Sequence, residues 1–342
     1  MAAIIYQALI ARQIRRERIF RDRSYLLETL QDSDYIPRYR FPRTTILQLT
    51  DLIREDIVRP SCRSHPIQPH IQVMVTLRYL AKGDFLSEVA DVHGISKSSA
   101  SRCINSVCDA MCHRLNNIHF PRNNAEVREV KEKFYSLASF PNVIGAIDGT
   151  LIPIQGMTGT DENLYICRKG FHALNIMAVA DAKMRFININ TRFPGASHDA
   201  YILMSSNIHR MMENLPEGGW LVGDSGYPLK TWLMTPLIHP TSHKEISYNR
   251  AHCKTRVVIE RAFGVLKSRF RCIHKSGGAL PFSPKKCSRI IETTFRLHNK
   301  AINENIPLLH GGHILQINNN HICRNVPDRQ AQTIRQQLIA RF

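Results

Sequence analysis

The sequence predicts an α/β protein in which an N-terminal helical region precedes a mixed sheet. Two changes of hydrophobic period carry that expectation. From about residue 40 to 135 apolar residues recur at helical spacing, with Pro42, Pro60, Pro66 and Pro69 as punctuation. After Pro141 short apolar runs bounded by turn residues take over, and a long helical pattern returns from Asn249 to Ile273.

Residues 1–30 form a basic arm carrying Arg12, Arg15, Arg16, Arg18, Arg21 and Arg23. An import signal, a phosphate-binding arm and a solvated helix face all fit it. Residues 31–138 make a helical domain with a sharper motif inside it. Phe85, Leu86, Val89 and Ala90 give a short amphipathic helix ending at Gly94; Ser96 caps a second helix that buries Ala100, Ile104, Val107 and Met111. This spacing is that of a helix-turn-helix, and the free face of its second helix presents Lys97, Ser98, Ser101, Arg102 and Asn105 to phosphates and base edges. A plain structural helix pair is the alternative.

Residues 139–305 carry the sheet. Val143–Ile147 is one buried strand, Phe171–Ala180 and Met184–Asn190 flank the turn Asp181-Ala182-Lys183 as a hairpin, a helix opens after Pro194-Gly195-Ala196-Ser197, and Trp220–Val222 is a further strand. Three antiparallel strands, a helix, a strand parallel to the first and more helix is the order of a ribonuclease H-like mixed sheet. Residues 306–342 form a polar tail with a short helix from Asp328.

The balance of 46 Lys and Arg against 28 Asp and Glu gives a net charge of +18, which favours a polyanionic partner, DNA being the simplest. No apolar run approaches the ~20 residues of a membrane span, so no membrane is expected. Nine cysteines without a CxxC pair point to reduced thiols, in the nucleus or cytoplasm.

Three carboxylates stand out. Asp148 closes the run Val143–Ile147, Asp224 closes Trp220–Gly223, and Glu260 lies in the long helical pattern. Carboxylates brought together from two strand ends and a helix need a cation between them, and two-metal cleavage of phosphodiesters uses that arrangement. Asp199, in the first turn of the helix after the hairpin, is either a further ligand or a dipole-favoured terminal Asp. On a helical wheel Arg256, Lys267 and Arg271 share the arc of Glu260 and read as a solvent-facing basic stripe that guides a DNA strand.

The strings Val-Ile-Gly-Ala-Ile-Asp-Gly-Thr (143–150), Phe-Pro-Gly-Ala-Ser-His-Asp (193–199), Trp-Leu-Val-Gly-Asp-Ser-Gly-Tyr-Pro-Leu (220–229) and Val-Val-Ile-Glu-Arg-Ala-Phe-Gly-Val-Leu-Lys-Ser-Arg-Phe-Arg (257–271) together make the chain resemble PIF/Harbinger-type DDE transposases. The resemblance implies a ribonuclease H-like nuclease in which Asp148, Asp224 and Glu260 match the DDE triad and Asp199 a further metal position. It also implies Mg²⁺ or Mn²⁺ as cofactor and a separate Myb-like DNA-binding companion; a homo-oligomer stays open. Leu151 departs from the His or Glu that often follows Asp-Gly-Thr. Two other readings compete: a non-enzymatic DNA-binding or adaptor protein that keeps the fold, and a two-metal phosphoesterase for small substrates, which would need neither the helix-turn-helix nor the basic stripe.

Overall fold

The computed structural model describes residues 30–59, 66–309 and 328–342. The arginines of the basic arm, Pro60 and residues 310–327 of the tail lie outside the described residues. Helices α1 (Asp32–Tyr39), α2 (Arg43–Ile57), α3 (Pro69–Lys82), α4 (Leu86–Val92), α5 (Lys97–Arg114) and α6 (Asn124–Ala138) come first. Their ends follow local chemistry. Pro69 opens α3, where an N–H has no partner to lose, and Gly83 at φ +74° closes it. The Ser96 hydroxyl accepts the Ser99 N–H at 3.2 Å and starts α5, whose buried face includes Ala100, Ile104, Val107 and Met111. Phe85, expected on the buried face of the preceding helix, is instead 77 % exposed, because α4 begins only at Leu86 and Phe85 is its cap.

Beyond Pro141 the chain forms β1 (Val143–Pro153), β2 (Ala173–Ala180), β3 (Phe186–Pro194), β4 (Trp220–Val222) and β5 (Leu233–Met234), a five-stranded sheet among the described residues, ordered β3-β2-β1-β4-β5. The first three pair antiparallel, β4 runs parallel to β1, and β5 parallel to β4. One expectation fails here. Pairing with β2 continues from Asp148↔Ala178 to Pro153↔Ala173, so Asp148 lies inside β1 rather than at its end. Thr150, Leu151 and Ile152 fit a pleated surface and carry the strand on.

Between and after the strands lie α7 (Glu162–Tyr165), α8 (Asp199–Met204), α9 (Ile208–Glu213), α10 (His243–Arg269), α11 (Pro284–Asn303) and α12 (Arg329–Ile339). A reciprocal cap between Ser242 and Glu245 starts α10 earlier than its apolar pattern suggests. Phe270 leaves the helical backbone at φ −117° and ψ 84°, so Arg271 sits on a separate 3₁₀ turn, Arg271–Ile273, and not on the helix.

Every residue of β2 is buried, because both faces of the sheet are covered. Met177 and Val179 pack with Ile202, Leu203, Ile208 and Met212 on one side. On the other, Ile176 and Ala178 join a cluster that contains Phe263 and Phe295 and extends to Tyr35, Tyr39, Ile104 and Met111 of the N-terminal helices. One packed core therefore spans both sides of the 138/139 boundary.

Candidate active site

The sheet register sets two carboxylates side by side. Ala146 of β1 pairs with Val222 of β4, and the residue two positions further along each of these parallel paths is Asp148 or Asp224. Both are buried, at 5 % and 6 % exposure. Asp148 Oδ1 accepts the Gly149 N–H at 2.8 Å, and Asp224 Oδ1 accepts the Gly226 N–H at 3.0 Å. Asp199, the first residue of α8, reaches over β1 from the side. Its Oδ1 accepts from Asn175 Nδ2 at 2.9 Å, while the same amide donates to the Ser197 carbonyl at 2.9 Å. A Cβ on residue 149 would stand 2.5 Å from Asp199 Oδ1, so only glycine lets this carboxylate approach.

Glu260 arrives on α10 with Arg256 one turn before it. Arg256 Nη1 lies 3.3 Å from Asp148 Oδ2, and Nη2 lies 2.5 Å from Glu260 Oε1. The guanidinium thus bridges the strand carboxylate and the helix carboxylate. Burial pulls the Arg256 pKa down, and the charges of Asp148, Glu260 and Asp224 more than offset it. Asp148 is pushed up to about 7, first by burial and then by Asp224 and Asp199, against the pull of Arg256 and the Gly149 N–H. Asp224 rises to about 6, again mainly through burial, with Arg256 opposing and Asp199 adding.

These shifts fix the sign of a pH dependence. A carboxyl whose folded pKa exceeds its unfolded value of 3.8 binds its proton more tightly in the fold. Its stabilising contribution is complete below pH ~4 and is lost as pH rises through about 6 and 7. In chelator, wild-type protein should lose melting temperature between pH 5 and pH 8 relative to an Asp148→Asn, Asp224→Asn double variant. Parallel melting curves for the two proteins across that range would contradict the shifts.

A family model described as "DDE superfamily endonuclease" matches residues 147–299, a span that takes in Asp148, Asp199, Asp224 and Glu260. "Putative nuclease HARBI1" of Rattus norvegicus is 38 % identical over 280 residues, which cover 81 % of this chain and 80 % of that protein. The chain belongs to the Harbinger-type DDE family. The Xenopus laevis protein of the same name is 33 % identical over 319 residues, 92 % of each chain, and "Protein ALP1-like" of Arabidopsis thaliana is 27 % identical over 285 residues, 77 % of this chain and 69 % of its own. No solved structure matches. A transposase-derived nuclease is thus the class in which the carboxylates are to be read.

In this Harbinger-type chain the basic stripe differs from its expected setting. It faces the sheet, not solvent. Arg256 is engaged by Asp148 and Glu260, and Lys267 Nζ donates to Thr150 Oγ1 of β1 at 2.6 Å. Burial, followed by Lys169, pushes the half-buried Lys267 down to about 8, while Asp148 opposes. Arg271 alone of the three is exposed, because the helix has ended before it. On α5, Lys97, Ser98, Arg102 and Asn105 are exposed. Ser101 is not free: its carbonyl and hydroxyl accept from Lys286 of α11 at 3.0 and 3.1 Å.

Three residues near the carboxylates escaped the sequence reading. Asn175 orients Asp199, and its signal was a lone amide in the apolar run Ala173–Ala180. Thr150 receives Lys267. Tyr227 is buried with its hydroxyl unpartnered among the described residues; burial and then Asp199, Asp148 and Asp224 raise its pKa well above the usual phenol value.

Proposed function

We propose that this Harbinger-type nuclease cleaves DNA phosphodiester bonds with divalent cations held by Asp148, Asp224 and Asp199, joined by Glu260. The observation that supports it most is that Asp148, Asp224 and Asp199, from β1, the end of β4 and α8, lie near enough to raise one another's proton affinity, next to a cationic Arg256. An all-carboxylate donor set suits a hard ion such as Mg²⁺ or Mn²⁺. As they stand, no three acidic, His or Cys side chains among the described residues close on one point. The donor chemistry fits, and completing a site requires Arg256 to release Glu260 and Asp148. When bound, such ions activate a water or a DNA 3′-hydroxyl and stabilise the leaving oxygen.

The chain's own residues supply position. Asn175 and Gly149 fix Asp199 against β1, and the β1–β4 register fixes Asp148 beside Asp224. Arg256 and Lys267 offer cationic groups to the scissile strand at the site, and Arg271 extends that path outward. Lys97, Ser98, Arg102 and Asn105 bind duplex DNA from α5, with Ser101 at the margin. A Myb-like companion, a homo-oligomeric state and residence in nucleus and cytoplasm complete the proposal.

The test is nicking of supercoiled plasmid in Mg²⁺ or Mn²⁺ and its loss in chelator. No nicking with either ion would favour a non-enzymatic DNA-binding adaptor, a reading supported by the engagement of Glu260 with Arg256. For α5, the slope of log affinity against log salt should flatten by about 1 for each phosphate that is no longer neutralised, so a Lys97→Ala, Arg102→Ala variant should flatten it by about 2. Identical slopes would take this helix out of the interface.

A further inference from the structure

β3 ends the sheet. β2 pairs with one side of it, and among the described residues no strand pairs with the other. A groove of about 660 Å³ follows that open side, and six consecutive residues, Ile187 to Arg192, line it. Alternate residues of a strand point to opposite faces, so six in a row can share one groove only if its floor is the strand edge itself. Met211 and Leu215, on and just after α9, form one wall, and Glu292 and Arg296 of α11 form the other.

The backbone of that edge is unsatisfied over a defined stretch. At its upstream end Asn299 acts as a neighbouring strand would: its Oδ1 accepts the Phe186 N–H at 2.8 Å and its Nδ2 donates to the Phe186 carbonyl at 2.7 Å. From Ile187 to Thr191 no such substitute exists among the described residues, and the backbone makes no hydrogen bond outside the sheet. Open edges are templates for strand addition, and proteins ordinarily blunt them.

Charge narrows the occupant. The guanidinium groups of Arg122 and Arg192, both exposed in the groove lining, make no ion pair among the described residues; the Glu126 carboxylate beside Arg122 accepts that residue's backbone N–H, at 2.9 Å. The one acidic residue in the lining, Glu292, is held by Arg289 and Arg296. Two copies of this chain pairing edge to edge would join two grooves whose unpaired side-chain charges are all arginine, with no free carboxylate in either groove to answer them, which disfavours a self-association. A nucleic acid would satisfy the arginines but offers no alternating donors and acceptors to the ladder.

We propose that the free edge of β3 docks an extended acidic segment of a partner protein, which adds as a sixth strand with its carboxylates on Arg122 and Arg192. This does not depend on the nuclease reading. The probe is a labelled decapeptide of alternating glutamate and valine, read by fluorescence anisotropy on the full chain. It is compared with a lysine–valine decapeptide, a ten-nucleotide oligothymidylate and two isomers N-methylated on one or the other set of alternate backbone nitrogens. The glutamate peptide should bind at least about tenfold more tightly than the lysine peptide, and an Arg122→Glu, Arg192→Glu variant should reverse that order. One N-methyl isomer should lose at least about tenfold and the other little, because only one set of N–H groups faces β3.

Equal effects of the two isomers would overturn the proposal, since charge without a ladder would then explain the binding. So would equal affinity for the oligothymidylate with the same loss in the double variant, which would mark a nucleic-acid site. Absence of glutamate-peptide binding up to about 100 µM overturns it as well.

Discussion

Asp224→Asn should remove nicking and at the same time make the metal-free protein more stable. The catalytic loss is expected to reach at least about 10²–10³-fold, the scale of deleting one electrostatic group at a reacting centre. The gain in stability follows from the fold. Asp224 is buried beside Asp148 and Asp199, and its pKa rises from 3.8 to about 6, so holding its charge at neutral pH costs the folded state stability. Two units correspond to up to about 3 kcal/mol, of which relaxation will take a share. Asparagine keeps the shape and leaves out the charge. Melting curves in chelator and plasmid nicking in Mn²⁺ on one preparation check both halves. A variant that nicks as fast as wild type removes Asp224 from the chemistry, and one that melts far below wild type shows a structural carboxylate.

Arg256→Met should have the opposite stability effect, and metal should cancel it. The guanidinium bridges Asp148 and Glu260, and its removal leaves buried carboxylates without their cation. Removing one partner of a buried ion pair costs about 3–5 kcal/mol, so a large fall in melting temperature is expected in chelator. Saturating Mn²⁺ supplies the missing charge and should bring the variant to within about 1 kcal/mol of wild type. Calorimetric titration should also show tighter Mn²⁺ binding by about tenfold, because no resident cation has to be displaced. An Arg256→Met protein that melts like wild type in chelator, or that Mn²⁺ fails to rescue, would refute competition between Arg256 and metal for the same carboxylates.

Asp148 and Asp224 stand out in the sequence because each follows an apolar run and lies beside glycine. Gly223-Asp224-Ser225-Gly226 announces an acid at the close of a buried strand, whereas Ile147-Asp148-Gly149 gives the same signal although β1 runs on to Pro153. The sheet order was legible for a related reason: period-2 runs and turn residues fix the strands, and local connections limit how they pair. What failed depended on distant partners. A helical wheel groups Arg256, Glu260 and Lys267 on one face but cannot say that Thr150, far away in sequence, lies beneath that face. Ser101 was misjudged in the same way, since Lys286 lies on another helix. Arg271 was misplaced because the helix ends where Phe270 turns inward, and Phe270 is fully buried against a core that no local pattern describes.

The continuous core has a consequence for where such a protein would cut. α5 packs on α11 through Cys112, Thr293 and Lys286, and a single hydrophobic cluster runs from Tyr35 through Ile104 to Phe263. The exposed residues of α5 and the carboxylates of the sheet therefore belong to one body, not to two modules on a tether. On the proposed reading the fold would act as a ruler: any offset between base pairs held by α5 and a phosphate brought to Asp148 and Asp224 would be set by packing. Extra residues inserted at 138/139 would not lengthen the reach but would break the instrument.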